Sequence, residues 1–101
     1  MLRLKDTNNI PFSIYFHYPD ENTSECKVEI EVEPGVFQPY LSTQVKKYYK
    51  DKSTRKKGRY AAFEKAAQKL TTEKSVREQL WHAFLHPAES KGMVIENLEV
   101  K

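Results

Sequence analysis

The sequence has one cysteine among its 101 residues, three glycines and no long apolar run. Each scarcity removes a class of protein. Cys26 has no partner for a disulfide within the chain, so a disulfide-stapled scaffold is excluded. Three glycines and five prolines exclude collagen-like and low-complexity chains. No apolar stretch approaches the roughly 18 residues of a membrane-spanning helix. The opening Met1-Leu-Arg-Leu-Lys-Asp6 lacks the apolar core of a signal peptide, so the expected setting is cytoplasmic, with no membrane partner. The length suits one domain, spanning 1–101.

What is abundant is charge, and it is unevenly placed. The net charge is +3, from 17 Lys plus Arg against 14 Asp plus Glu. Residues 1–45 hold three basic and seven acidic residues, a balance of −4. Residues 46–59, KKYYKDKSTRKKGR, hold eight basic residues against Asp51 alone, a balance of +7. Residues 60–101 carry six of each sign. Positive potential this concentrated suits a nucleic-acid backbone or another polyanion. A solvated loop partly neutralised by an acidic strand is the plainer alternative.

Hydrophobic periodicity divides the chain in two. PFSIYFHY (11–18) alternates, with Phe12, Ile14, Phe16 and Tyr18 on one side, and predicts a half-buried strand. The polar stretch 19–25 reads as a hairpin loop. CKVEIEVE (26–33) alternates more cleanly, placing Cys26, Val28, Ile30 and Val32 inward and Glu29, Glu31 and Glu33 in an exposed acidic row. Pro34-Gly35 is a turn. A third strand follows through Phe37, Leu41 and Val45, at a sheet edge because Pro39 cannot donate to a ladder. Ala62, Phe63, Ala66, Ala67 and Leu70 then share one face of a helix over about 59–71, with Gly58 at or before its start. Ser75-Val-Arg-Glu78 has the form of a capping box opening a second helix over 76–86, which buries Val76, Leu80, Trp81, Phe84 and Leu85 and ends at Pro87. The tail, 88–101, alternates enough for a fourth strand. The expected fold class is α+β: a three-stranded antiparallel meander packed against two C-terminal helices.

The candidate site is the connector 46–59. Lys46, Lys47, Lys50 and Lys52, followed by Arg55, Lys56, Lys57 and Arg59, would meet phosphate. Tyr48 and Tyr49 lie among these cations and could stack on bases, whereas Tyr60 is expected to cover the core. Lys56, Lys57 and Arg59 precede the first helix, where its free N–H groups and positive dipole end add to their attraction for an anion. The Glu row would repel nucleic acid from the sheet face. Glu78, His82 and His86 are spaced to share a helical side, but no His-Glu-x-x-His pattern accompanies them; they read as surface residues, and no metal or cofactor is expected. Cys26 reads as a small buried hydrophobe. No nucleophile–base pair or phosphate-binding glycine loop is present, so no enzymatic activity is expected.

Two further stretches carry a likeness. Asp51, Arg55 (in place of Lys), Gly58, Arg59, Ala62 and Ala66 follow the pattern Asp-x-Phe-x-Lys-x-x-Gly-Arg-x-x-Ala-x-x-x-Ala, with Ser53 replacing the Phe. Arg77, Trp81 and Phe84 follow on the second helix, and Phe63 stands where Leu is usual. In residues 50–85 the chain resembles a group of small bacteriophage-borne proteins without an assigned activity. The resemblance implies a phage or prophage origin and a bacterial host cytoplasm. Strands followed by a helix are also similar in order to double-stranded-RNA-binding domains and to arm-binding domains of phage integrases. The former begin with a helix that is missing here, and the latter use a sheet face that is acidic here. Two functions follow as expectations: a nucleic-acid-binding module contacting DNA or RNA backbone, or a phage effector that inhibits a host enzyme or defence system through protein–protein contact. Either would act as a monomer or homodimer.

Overall fold

The computed structural model describes residues 2–46 and 55–100, with only the backbone of Arg55. The fold is α+β. Five strands, β1 (Leu2–Lys5), β2 (Pro11–Asp20), β3 (Thr23–Glu33), β4 (Val36–Lys46) and β5 (Met93–Val94), form one sheet in the order β4-β3-β2-β1-β5. The first four are an antiparallel meander, and β5 joins the far edge parallel to β1. Helices α1 (Arg55–Leu70) and α2 (Lys74–Leu85) pack on the sheet. No described helix is long and apolar enough to cross a membrane.

Alternation decides which face the helices cover. Leu2 and Leu4 of β1, Phe12 and Ile14 of β2, and Cys26 and Val28 of β3 point inward and are buried against Ala62, Phe63, Ala66 and Ala67 of α1 and Val76, Leu80 and Ala83 of α2. Alanines let α1 lie close to β3 and β4. The closest approach is at Gly58, where an added Cβ would run into the hydroxyl of Ser24. Thr43 of β4 donates its hydroxyl to the carbonyl of Ala62 at 2.7 Å, tying the helix to the sheet edge. Beside this core, Phe63 stacks on Phe84 at 4.3 Å, and Trp81 meets both edge-on.

Several elements differ from expectation. The hairpin after β2 is a tight turn at Glu21-Asn22, because Asp20 accepts the Asn22 N–H and the Thr23 hydroxyl, and pairing resumes at once. Pro39 does lie on an edge strand, next to a bulge in the β3–β4 ladder. Val32, expected inside, is 44% exposed, because the β3–β4 hairpin runs on beyond the helices. The first helix begins four residues early, so Gly58, Lys56, Lys57 and Arg59 belong to it rather than preceding it. The capping box does not form. Glu73 is the N-cap, without a side-chain capping bond, and Ser75 sits in the first turn. The α2 stripe is rotated, so Ala83 is buried and Leu85 is half exposed.

The first and last strands were not expected in this form. β1 is short, and it is held by what surrounds it. Asp6, immediately after β1, is fully buried. Its Oδ1 accepts the N–H groups of Asn8 and Ile10, both at 2.8 Å, in a turn that places Asn9 at φ 62°. Its Oδ2 accepts the Val100 N–H at 3.0 Å. Only two tail residues form a strand, yet Ile95, Leu98 and Val100 are all buried. Gln79 of α2 clasps the tail by exchanging two hydrogen bonds with the backbone of Glu96.

Asp6→Ala should therefore lower stability by about 3 kcal/mol, because it strands the buried Val100 N–H and two partly buried N–H donors that the Asp6 side chain now satisfies. Urea unfolding measures the loss, and hydrogen exchange should show the Val100 amide among the sites that lose protection. A change under about 0.5 kcal/mol, ordinary for surface substitutions, would contradict the assigned role.

Candidate nucleic-acid interface

The connector's two ends meet at one corner of the sheet. Lys46 ends β4 opposite Thr23, and Gly58 of α1 rests on the neighbouring Ser24. Lys46, Lys56 and Lys57 are exposed, and Arg59 is half-buried. Lys47, Tyr48, Tyr49, Lys50 and Lys52 lie outside the described residues, as does the side chain of Arg55. The described part of the site thus comprises one lysine at the end of β4 and three cations in the first turns of α1.

The start of α1 is electrostatically inverted. Helices favour acidic groups in the first turn, where unsatisfied N–H groups carry partial positive charge. Here the first turn has no acidic residue and reads Arg-Lys-Lys-Gly. Two cations are drawn onto rings instead. Lys56 Nζ lies 5.8 Å from the centre of Tyr60, and the Arg59 guanidinium lies 5.9 Å from the centre of Phe16. Tyr60 in turn meets Trp81 and Phe84 edge-on, so it covers the aromatic core as expected. The Arg59 Nε is buried and has no hydrogen-bond partner among the described residues.

The acidic row lies elsewhere. Inward-facing Ser24 touches α1, whereas Glu29 and Glu31 alternate onto the other face, beginning about 17 Å further along the strand. Glu29 and Glu31 are half-buried and Glu33 is exposed, with a bulge between Glu31 and Glu33 interrupting the row. Glu31 accepts the Gly35 N–H in the hairpin turn. Among the described residues, no ion pair joins Lys46, Lys56 or Arg59 to this row. Lys46 does act on Asp20, whose carboxyl is held below its ordinary value first by the Asn22 N–H and the Thr23 hydroxyl, with Lys46 contributing at longer range.

The same outer face holds a polar cluster that sequence patterning did not reveal. Glu25, expected in a loop, lies in β3 with little exposure. Its carboxylate accepts from Gln44 Nε2 at 2.8 Å, lies 3.3 Å from His17 Nδ1 and is 3.6 Å from Lys27 Nζ. His17, Glu25 and Gln44 meet because they are in register across β2, β3 and β4. The signal was their parity, hidden by assigning 19–25 to a loop.

The remaining candidates carry little chemistry. His82 and His86 stack at 4.8 Å, but no group of three metal-ligating side chains converges among the described residues. Cys26 is fully buried, and burial pushes its thiol up to about 12. No protein-family model, no curated protein and no solved structure matches the chain.

Two measurements test these environments. The Glu25 carboxyl lies below its ordinary range, chiefly through Gln44 and also through His17 and Lys27. A depressed folded-state value stabilises the protein above the ordinary carboxylate range, and the contribution is lost as pH falls through the folded value. Gln44→Ala should raise the Glu25 value in an NMR titration and weaken the dependence of stability on acid. An unchanged titration would remove Gln44 as the main cause. Cys26 should resist a thiol reagent at pH 8 in the folded protein and react fully in urea. Rapid labelling of the folded protein would contradict its burial.

Proposed function

We propose that the protein is a non-enzymatic nucleic-acid-binding module that contacts the phosphate backbone of DNA or RNA through residues 46–59. The observation that carries this reading is the placement of charge: Lys56, Lys57 and Arg59 lie in the first turns of α1, beside the end of β4 where Lys46 stands, while Glu29 and Glu31 lie on the sheet face away from α1 and further along β3. A first helical turn built only of cations and glycine is poorly suited to its own dipole and well suited to a phosphate. Lys47, Lys50, Lys52 and Arg55, with Tyr48 and Tyr49, belong to the proposed surface by sequence. The similarity of residues 50–85 to phage-borne proteins supports a role in a bacterial host cytoplasm.

A second reading rests on a different surface. Val32, Val36 and Tyr40 are exposed at the far part of the β3–β4 hairpin, and β4 is an edge strand. That surface suits a protein partner, as expected of a phage effector acting on a host protein.

Fluorescence anisotropy with labelled oligonucleotides separates the two. Micromolar binding is expected at about 50 mM salt, falling at least tenfold by about 200 mM. Lys46→Glu combined with Lys56→Glu should weaken binding about tenfold or more and reduce the salt slope by about two. Absence of binding to single and double strands of both DNA and RNA would overturn the first reading. A stoichiometric host partner retained after nuclease treatment would favour the second.

A further inference from the structure

A cleft of about 370 Å³ opens beside the basic corner. Its walls come from three directions: Ile14, Tyr15 and Phe16 of β2, Arg59 and Tyr60 of α1, and Phe84 and Leu85 of α2, with Leu2 and Pro87 at its margins. The volume lies in the range of small-molecule sites, and the open lining joins aromatic and aliphatic side chains to nearly as much polar surface. Among the described residues, Arg59 is the single charged residue of that lining. Its Nε is buried without a partner among the described residues, although a buried donor of this kind is normally satisfied. Its guanidinium is already fixed over Phe16. The site therefore offers an aromatic and aliphatic slot beside a half-buried guanidinium.

Building on the nucleic-acid reading above, we infer that this cleft receives one unpaired nucleotide of a single strand. Phe16 and Phe84 already meet at the floor of the cleft, with ring centres 5.7 Å apart, so the base lies above them against Tyr60 and Leu85, and Arg59 bonds the attached phosphate or the base edge. Three observations favour a nucleotide over a purely apolar ligand. Half-buried Arg59 places a cation in the lining. Arg59 and Tyr60 belong both to the cleft and to the start of α1, so a strand bound at the first turns of α1 passes the cleft mouth. Lys56, over the Tyr60 ring, adds a cation at that mouth for the next phosphate. A base held in an intact duplex is excluded, because it cannot enter a cleft without leaving its stack. The inference therefore adds a preference for single strands to a surface that otherwise reads only charge.

The test compares a labelled single strand of about 15 nucleotides with its duplex, using the whole protein at about 50 mM salt. The single strand should bind about tenfold more tightly, the gain expected from stacking one base. Arg59→Lys keeps the charge but loses the planar fork, and Leu85→Asn makes a half-exposed part of the wall polar. Leu85→Asn should melt like the parent and bind the duplex as the parent does, while losing most of the single-strand advantage. Arg59→Lys, in the backbone-binding corner, should weaken the single strand more than the duplex. A strand carrying 2-aminopurine should change its fluorescence on binding the parent and lose that change with Arg59→Lys. Equal affinity for strand and duplex, or equal weakening of both by the two variants, would overturn the cleft assignment and leave backbone binding intact. Absence of binding to either form would overturn both readings together.

Discussion

The carboxylate of Asp6 joins the turn after β1 to the tail of the chain. It closes the turn between β1 and β2 by accepting the Asn8 and Ile10 N–H groups, and it holds Val100, 94 residues away, by a third bond. A fully buried charge is costly unless its hydrogen-bonding capacity is met, and here three backbone donors meet it. The arrangement positions more than a turn. Thr7 donates to the Leu98 carbonyl and Ile95 to the Lys5 carbonyl, so the tail lies alongside β1 and delivers Ile95, Leu98 and Val100 to the core. Without that seam, Leu2 and Leu4 would lose much of their cover, and with it the reason β1 stays in the sheet.

The basic corner follows a different logic. Almost every feature of the first turn of α1 opposes helix stability: cations at the positive end of the dipole, no acidic residue and a glycine in the fourth position. The helix persists because Ala62, Phe63, Ala66 and Ala67 bury its later turns and Thr43 anchors Ala62. The glycine also has a packing reason, since Ser24 occupies the space a side chain would need. Local instability at this end is thus tolerated by packing further along, the usual relation between a scaffold and a binding surface. The net charge of +3 conceals this arrangement, because the acidic residues of 1–45 offset part of the connector in the count, while Glu29 and Glu31 lie away from the first turn of α1.

The pattern of the sequence revealed the elements with many periodic residues. β2 and β3 alternate over enough positions to declare their inward face, and the alanine spacing declared the buried side of α1. β1 has only four residues, too few for alternation to stand out. Its neighbour β5 has two, and their pairing depends on Asp6 and the tail rather than on propensity. Ser75 and Glu78 matched a capping pattern, but α2 starts at Lys74, so register overrode the motif. The connector was visible as charge. The cleft beside it was not, because Phe16, Arg59 and Leu85 come from three elements whose placement only the tertiary structure defines.

The parallel pairing of β1 with β5 has a consequence for how the chain reaches its native state. Leu4 and Met93 are partners across almost the whole sequence, and bringing such distant positions together is slow compared with closing the β2–β3 or β3–β4 hairpin. During synthesis β1 emerges before the other described elements yet waits for Met93–Val94 before its outer edge is occupied. The meander and α1 can assemble in the interval with part of their apolar face uncovered. A nascent chain of this protein therefore carries an open strand edge and an incomplete core until residues 93–100 are released, and its exposure to aggregation is set by that delay.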